Sequence, residues 1–279
     1  MKLPIRSTVI AAFGLLSALL PVSPTAHAQG DPAAAFVAPA VFQAAGPTAA
    51  SIQSTVDAFR AALGNPNNGN LPGASPRGRR EINWDGGGAN TTTAPVTPFN
   101  VFLNTRGSQF TTPGIGLSQA PPSGGAQGGL AVLFNNPTYA TIFSTFSPLR
   151  LFTPVGSNKT EGLFFVPGTN GAGPATITGF GAVFTDVDQP DGSGSGEAHG
   201  GHGTSIKYFD RYGRVIFTGF VPASPGDGSL SFFGIVFDDA RIARVQIITG
   251  NHAPGPNDDR KHDIVMMDDF LYGEPQPLR

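Results

Sequence analysis

The chain has 279 residues, no cysteine and a formal net charge of −2, with 38 glycines, 26 prolines and only 13% charged residues. The missing cysteines exclude disulfides, thiolate metal centres and a lipid-anchoring cysteine. So much punctuation argues against a mainly helical protein. A mildly acidic chain whose one basic run is "PRGRR" (76–80) makes a poor nucleic-acid or anionic-membrane binder.

In chain order, residues 1–28 read as a secretory signal peptide. Lys2 and Arg6 precede the apolar stretch "STVIAAFGLLSALLPVSP", and Ala26-x-Ala28 offers the small-residue cleavage site. That stretch is short and broken by proline, which does not suit a membrane span. The expectation is a bacterial protein, secreted or periplasmic, with no membrane span after cleavage near Ala28. Residues 29–50 are Ala/Pro-rich and read as a disordered segment. Residues 51–64 read as a helix. Ile52, Val56, Phe59 and Leu63 share one face, Ser51 or Ser54 is placed to cap the start, and Gly64 ends it. Residues 65–79 read as a linker.

Residues 80–273 read as a β-sandwich domain, with a short tail at 274–279. Eleven segments have strand character, among them "EINW", "FNVFLN", "GLAVLF", "ATITGFGAVF", "TSIKYFD", "RVIFTGFV" and "DIVMMDDFLY". In "RIARVQIIT", Ala243, Val245 and Ile247 alternate with Arg244 and Gln246, so one face is buried and the other wet. "YFDRYGRV" reads as a hairpin with Gly213 supplying a positive φ at its tip. The expected fold is all-β, an antiparallel jelly-roll-like β-sandwich preceded by one short N-terminal α-helix, with phenylalanines between the sheets. A closed barrel is the alternative.

The stretches "REINWDG", "RGSQFTTPG", "LFTPVGSN", "GFGAVFTDVD", "YFDRYGRVIF", "FFGIVFDDARIARVQIITGN" and "MDDFLYGEP" carry a resemblance over about two thirds of the chain. It resembles uncharacterised secreted bacterial proteins of the PEP-CTERM-associated type. The resemblance implies a lectin-like sandwich and no activity. The sequence given ends at "YGEPQPLR" without an apolar sorting helix, which favours a freely secreted product.

Several places are candidates for chemistry. Asp186, Asp188, Asp191 and Glu197 approach the spacing of a calcium loop. Pro190 stands where such a loop wants an oxygen donor, however, and the Asp-Gly pair arrives one residue late. The alternative is a polar loop between strands. In "MMDDFLY", alternation along a strand would turn one of Asp268 and Asp269 inward, where a carboxylate needs a cation or several donors. Should the first and last sandwich strands lie side by side, Asp85 or Glu81 would join the pair. A structural Ca²⁺ is one reading, and a salt bridge from Arg79 or Arg80 is the other. His199 and His202, three apart in a glycine-rich loop after Glu197, could hold Zn²⁺ or Cu²⁺ with one more ligand, but their spacing is not the helical H-E-x-x-H and such a loop fixes little geometry. His252 and His262 read as flanks of a solvated loop. No G-x-S-x-G is present, so an α/β-hydrolase elbow is absent.

For ligand binding, the candidates are Trp84, Tyr139 and Tyr212, because sugar-binding sandwiches present exposed aromatic faces. Core packing is the competing role for Trp84. The leading expectation is a non-catalytic glycan or cell-surface polymer binder with a structural calcium ion. A structural or matrix protein comes second, and a glycan-active hydrolase or lyase third.

Overall fold

The computed structural model describes residues 38–88, 90–188, 203–256 and 262–278. In chain order its elements are β1 (Ala40–Gly46), α1 (Ala49–Leu63), β2 (Arg79–Ile82), α2 (Leu103–Arg106), β3 (Ser108–Thr111), β4 (Gly116–Ala120), α3 (Gly129–Leu133), α4 (Tyr139–Ile142), β5 (Leu151–Val155), β6 (Lys159–Phe164), β7 (Ala175–Thr176), β8 (Gly179–Thr185), β9 (Ser205–Phe209), β10 (Val215–Phe220), β11 (Leu230–Val236), β12 (Arg244–Ile248), β13 (Met266–Gly273) and β14 (Gln276–Pro277). The protein is mostly β. Two antiparallel sheets pack together, and the helices are few and, apart from α1, a single turn or little more.

The seven-stranded sheet runs β1-β11-β8-β13-β5-β4, with β2 also paired to β13; the five-stranded sheet runs β10-β9-β12-β6-β3. The main core lies between them. Phe152, Phe180, Phe270 and Tyr272 from the larger sheet meet Phe110, Phe164, Ile206, Tyr208, Val245 and Ile247 from the smaller. Trp84 sits among these rings, stacked on Phe152 at 3.7 Å and edge-on to Phe99, Phe102, Phe110 and Phe270.

The outer face of the seven-stranded sheet is covered twice. Helix α1 lays Ile52, Val56, Phe59 and Leu63 on Val183, Phe232 and Leu271. Burying such side chains stabilises the contact by about 1.5–3 kcal/mol each. Phe59 gains room because Gly181 and Gly234 have no side chain beneath it; a Cβ on either would lie within 2.9 Å of its ring. Further along, α3 and α4 bury Leu130, Tyr139 and Ile142 with Leu151 and Met266. No described helix covers the five-stranded sheet in this way.

Three local expectations need correction. Residues 29–50, read as disordered, include β1, which pairs in register with β11 from Ala40↔Val236 to Gly46↔Leu230. "GLAVLF" forms α3, and "FNVFLN" forms a turn leading into α2. Short apolar runs fit a buried strand or a buried helical turn equally well. Gly128 and Gly129, both at positive φ, start α3 as a helical turn. The hairpin expected at 208–215 is present, with Gly213 at φ 78°. Strand β2 does lie beside β13, with Ile82 opposite Phe270 and Glu81 opposite Leu271. The signal-peptide segment 1–28 lies outside the described residues.

Candidate functional site

The pairing of β2 with β13 assembles a cluster of charged groups under α1. Between Met267 and Phe270, β13 slips register against β8, and both flanking residues face the main core. Two residues occupy the place of one, as in a bulge. The alternation expected for Asp268 and Asp269 therefore fails, and both carboxylates reach the same hydroxyl, Ser147 Oγ. Asp268 is fully buried and accepts backbone N–H groups from Phe146 (2.6 Å), Ser147 (3.3 Å) and Asp269 (2.9 Å). Burial drives its carboxyl well above the usual range, and the charge of Asp269 adds to this; the Phe146 and Ser147 N–H groups pull the other way without cancelling it. Burial likewise raises Asp269, against the hydrogen bond from Ser147 and the charge of Arg60.

The cation that reaches the aspartate pair is Arg60, from α1. Its guanidinium lies 3.1 Å from Glu81 and 3.7 Å from Asp269. Sequence reasoning named Arg79 and Arg80 instead. Arg79 pairs with Glu81 at 2.6 Å, and Arg80 is buried against Glu274 at 2.7 Å. Asp85 stands apart, with Oδ1 accepting from the N–H groups of Leu149 (2.7 Å) and Arg150 (2.9 Å). Asp186 is buried at φ 67° and donates its N–H to Ser229; Asp188 is exposed, and its carboxylate accepts from Gly226 N–H. Asp191, Glu197, His199 and His202 lie outside the described residues. Among the described residues, no group of three or more His, Cys, Asp or Glu side chains is arranged to hold a metal ion. His252 and His262, which sequence reading treated only as loop flanks, stack with centroids 4.5 Å apart.

Of the three aromatic candidates, two are core residues. Trp84 is fully buried, with its indole N–H donating to the Asp268 carbonyl at 3.1 Å. Tyr139 is also fully buried, edge-on to Phe134 and Phe143, with its hydroxyl accepting from Gly255 N–H. Neither presents a face to a sugar. Tyr212 is exposed, at 66%, on the hairpin tip. Arg211 and Arg214 place their guanidiniums 4.8 and 5.1 Å from its ring centroid.

A shallow cleft of about 540 Å³ opens between Asn90, Pro121, Ser123, Phe143, Ser144 and Leu149. It carries no ionisable side chain.

Among the described residues no helix covers the outer face of the five-stranded sheet. Pairing registers arrange its outward side chains in three rows across the strands. The first runs Val215, Phe209, Arg244, Leu163, Gln109, and the second Thr218, Lys207, Gln246, Glu161, Thr111. The third runs Phe220, Ser205, Ile248, Lys159. Five strands spaced by about 4.8 Å make a face about 19 Å wide. At its centre Glu161 accepts from Gln246 Nε2 (2.6 Å), Lys159 Nζ (3.0 Å) and the Arg244 guanidinium. Burial alone would raise the Glu161 carboxyl, but these three donors outweigh it and hold the group below its ordinary value. Arg244 lies 3.5 Å over the Phe209 ring and shields it.

Comparison with protein-family models, with curated proteins and with solved structures gives no match. No helix of the described residues is long and apolar enough to cross a membrane.

Proposed function

We propose that this protein is a secreted, non-catalytic sandwich of lectin-like, jelly-roll type that binds an extended glycan or cell-surface polymer on the outer face of its five-stranded sheet. The observation that carries this reading is the asymmetry of cover. Helices bury the outer face of one sheet, while the other keeps a row of amide, hydroxyl and charged side chains in water. Such groups match the donors and acceptors of sugar hydroxyls. Tyr212, at the tip of the hairpin that joins two of these strands, supplies an exposed ring.

A polysaccharide binding screen with the protein tests this, run once with Ca²⁺ and once with EDTA. The expected result is retention on at least one polymer, lost in the double variant Lys207→Ala, Gln246→Ala. Binding lost in EDTA alone would support a structural calcium ion, for which the sequence offers Asp186, Asp188, Asp191 and Glu197 or Asp85, Asp268 and Asp269. No retention on any polymer in either arm would sink the reading.

A further inference from the structure

Resting on that polymer-binding reading, we infer that the five-stranded face is a site for an anionic polysaccharide, one bearing carboxylate or sulfate groups along its length. The argument is one of charge. Outward strand positions carry Lys159, Lys207 and Arg244 against a single acid, Glu161. The β9–β10 hairpin adds Arg214 against Asp210. Among the described residues these four cations meet two acids, in a chain whose formal net charge is −2. The excess is local and of the opposite sign to the whole molecule.

The two acids do not undo this. Glu161 accepts from Lys159, Gln246 and Arg244 together and so holds three donor side chains across the face. Asp210 accepts from the N–H groups of Tyr212 and Arg214 and from the Arg214 guanidinium, which shapes the hairpin tip. Lys207 is exposed in the middle row, and no carboxylate of the described residues lies within ion-pair distance of it. Its ammonium is available to a ligand.

The cations are also distributed in a way that suits a chain. Arg244 is in the first row, Lys207 in the second and Lys159 in the third, on three neighbouring strands. Gln246 lies between them, and Thr218, Thr111 and Gln109 flank them on the two edge strands, all offering neutral hydrogen-bonding groups. A small anion would use one cation, whereas a polymer with repeated charges would meet several along with the neutral groups. Single-stranded nucleic acid carries repeated charge too, but its bases need aromatic platforms. Exposed rings are confined to the edge strand and its hairpin, Phe220 and Tyr212, while Phe209 inside the rows is covered by Arg244, so the face offers no run of stacking platforms. The mildly acidic composition, with "PRGRR" as its one basic run, had pointed away from nucleic acid and anionic membranes. The face collects its cations by strand register from four separate segments, so no linear run announces it.

The test measures binding of the full chain to dextran, dextran sulfate, polygalacturonate and single-stranded DNA over a range of NaCl. Dextran sulfate and polygalacturonate should bind at least about tenfold more tightly than dextran at low salt, and weaken as added salt shortens the screening length below about 10 Å. Lys207→Glu should weaken binding to both anionic polymers about tenfold, while Thr218→Lys, which adds a cation to the same row, should tighten it a few-fold. Both positions are exposed, so melting temperatures should match the parent. If dextran binds as well as dextran sulfate and neither variant changes affinity, the charge inference fails and the polymer reading stands. If no polysaccharide binds, both fail. DNA binding as tight as polygalacturonate would overturn the inference in favour of a nucleic-acid ligand.

Discussion

The indole N–H of Trp84 donates to the backbone carbonyl of Asp268 at 3.1 Å, so the core's largest side chain ties the end of β2 to the bulge of β13. Trp84 itself turns at φ 64°, a conformation uncommon for a bulky residue. Its carbonyl is held there by Gln119 Nε2 (2.8 Å) and by the Arg150 guanidinium.

Because Trp84 is the only tryptophan, this arrangement is directly observable. Its fluorescence should be blue-shifted and resist acrylamide quenching in the native protein, and shift red on unfolding. Trp84→Phe should cost about 1–3 kcal/mol for the orphaned carbonyl, and Trp84→Ala about 3–5 kcal/mol for the cavity. Ready quenching in the native state would show that the ring is not in the core.

A second prediction concerns Arg80 and Glu274. Arg80 donates Nε and Nη2 to the two Glu274 oxygens, each at 2.7 Å, and spends its remaining donors on the carbonyls of Gly69, Leu71, Gly73 and Thr105. Both side chains are essentially buried. Arg80→Met should therefore destabilise by about 3–5 kcal/mol, because it leaves a buried carboxylate without its cation. Adding Glu274→Gln to Arg80→Met should recover part of that loss. Urea midpoints for the two single variants and the double one give the coupling; strict additivity would mean that the pair does not interact.

The aspartate pair predicts a pH dependence. Burial raises Asp268 and Asp269 in the folded state above their unfolded value of about 3.9. The folded state then holds protons that the unfolded state releases. The pair's contribution is complete below the ordinary carboxylate range and is lost as pH rises through the raised folded values. Asp210 and Glu161, held low by their donors, behave in the opposite way, losing their contribution as pH falls through theirs. A comparison of the protein with Asp269→Asn separates the two effects. The variant should gain stability relative to the parent as pH rises from about 4 to 8, by about 1.4 kcal/mol for each unit of raised pKa it removes. A difference that stays flat with pH would mean that Asp269 ionises normally.

The docking of α1 supplies a fourth. Phe59 fits over Gly181 and Gly234, with its ring also edge-on to Phe42 and Phe232. Gly234→Ala puts a methyl where the ring is and should cost about 1–3 kcal/mol. Phe59→Ala should cost about 3–5 kcal/mol. In the double variant the costs should be less than additive, since the smaller side chain makes room for the methyl. Thermal unfolding of the three variants checks this.

Much of the local pattern was legible in the sequence. The face of α1 followed from apolar residues at 52, 56, 59 and 63, and the wet face of β12 from alternation around Arg244 and Gln246. The neighbourhood of "REINWDG" and "MDDFLY" also followed from the closure of a sandwich. What depended on distant partners did not. Arg60 meets Asp269 only because α1 lies over β13, and nothing near either residue announces the other. The shared face of Asp268 and Asp269 depends on a register slip that alternation alone cannot foresee. Tyr139 sits beside polar residues in sequence, which suggested exposure, yet its ring turns into the core; for Trp84 the core-packing role also read from the sequence is the one observed.

The position of β1 and β2 also bears on the order in which the molecule can assemble. Ala40 must wait for Val236, and Ile82 for Phe270. Both strands are completed only by partners about 190 residues later in the chain, and such long closures slow folding. A nascent chain stopped before β13 would hold β2, Trp84 and the edge of β8 without their partner. Exposed strand edges of that kind invite pairing with other chains. Folding should therefore be a late, nearly all-at-once event that the C-terminal segment triggers.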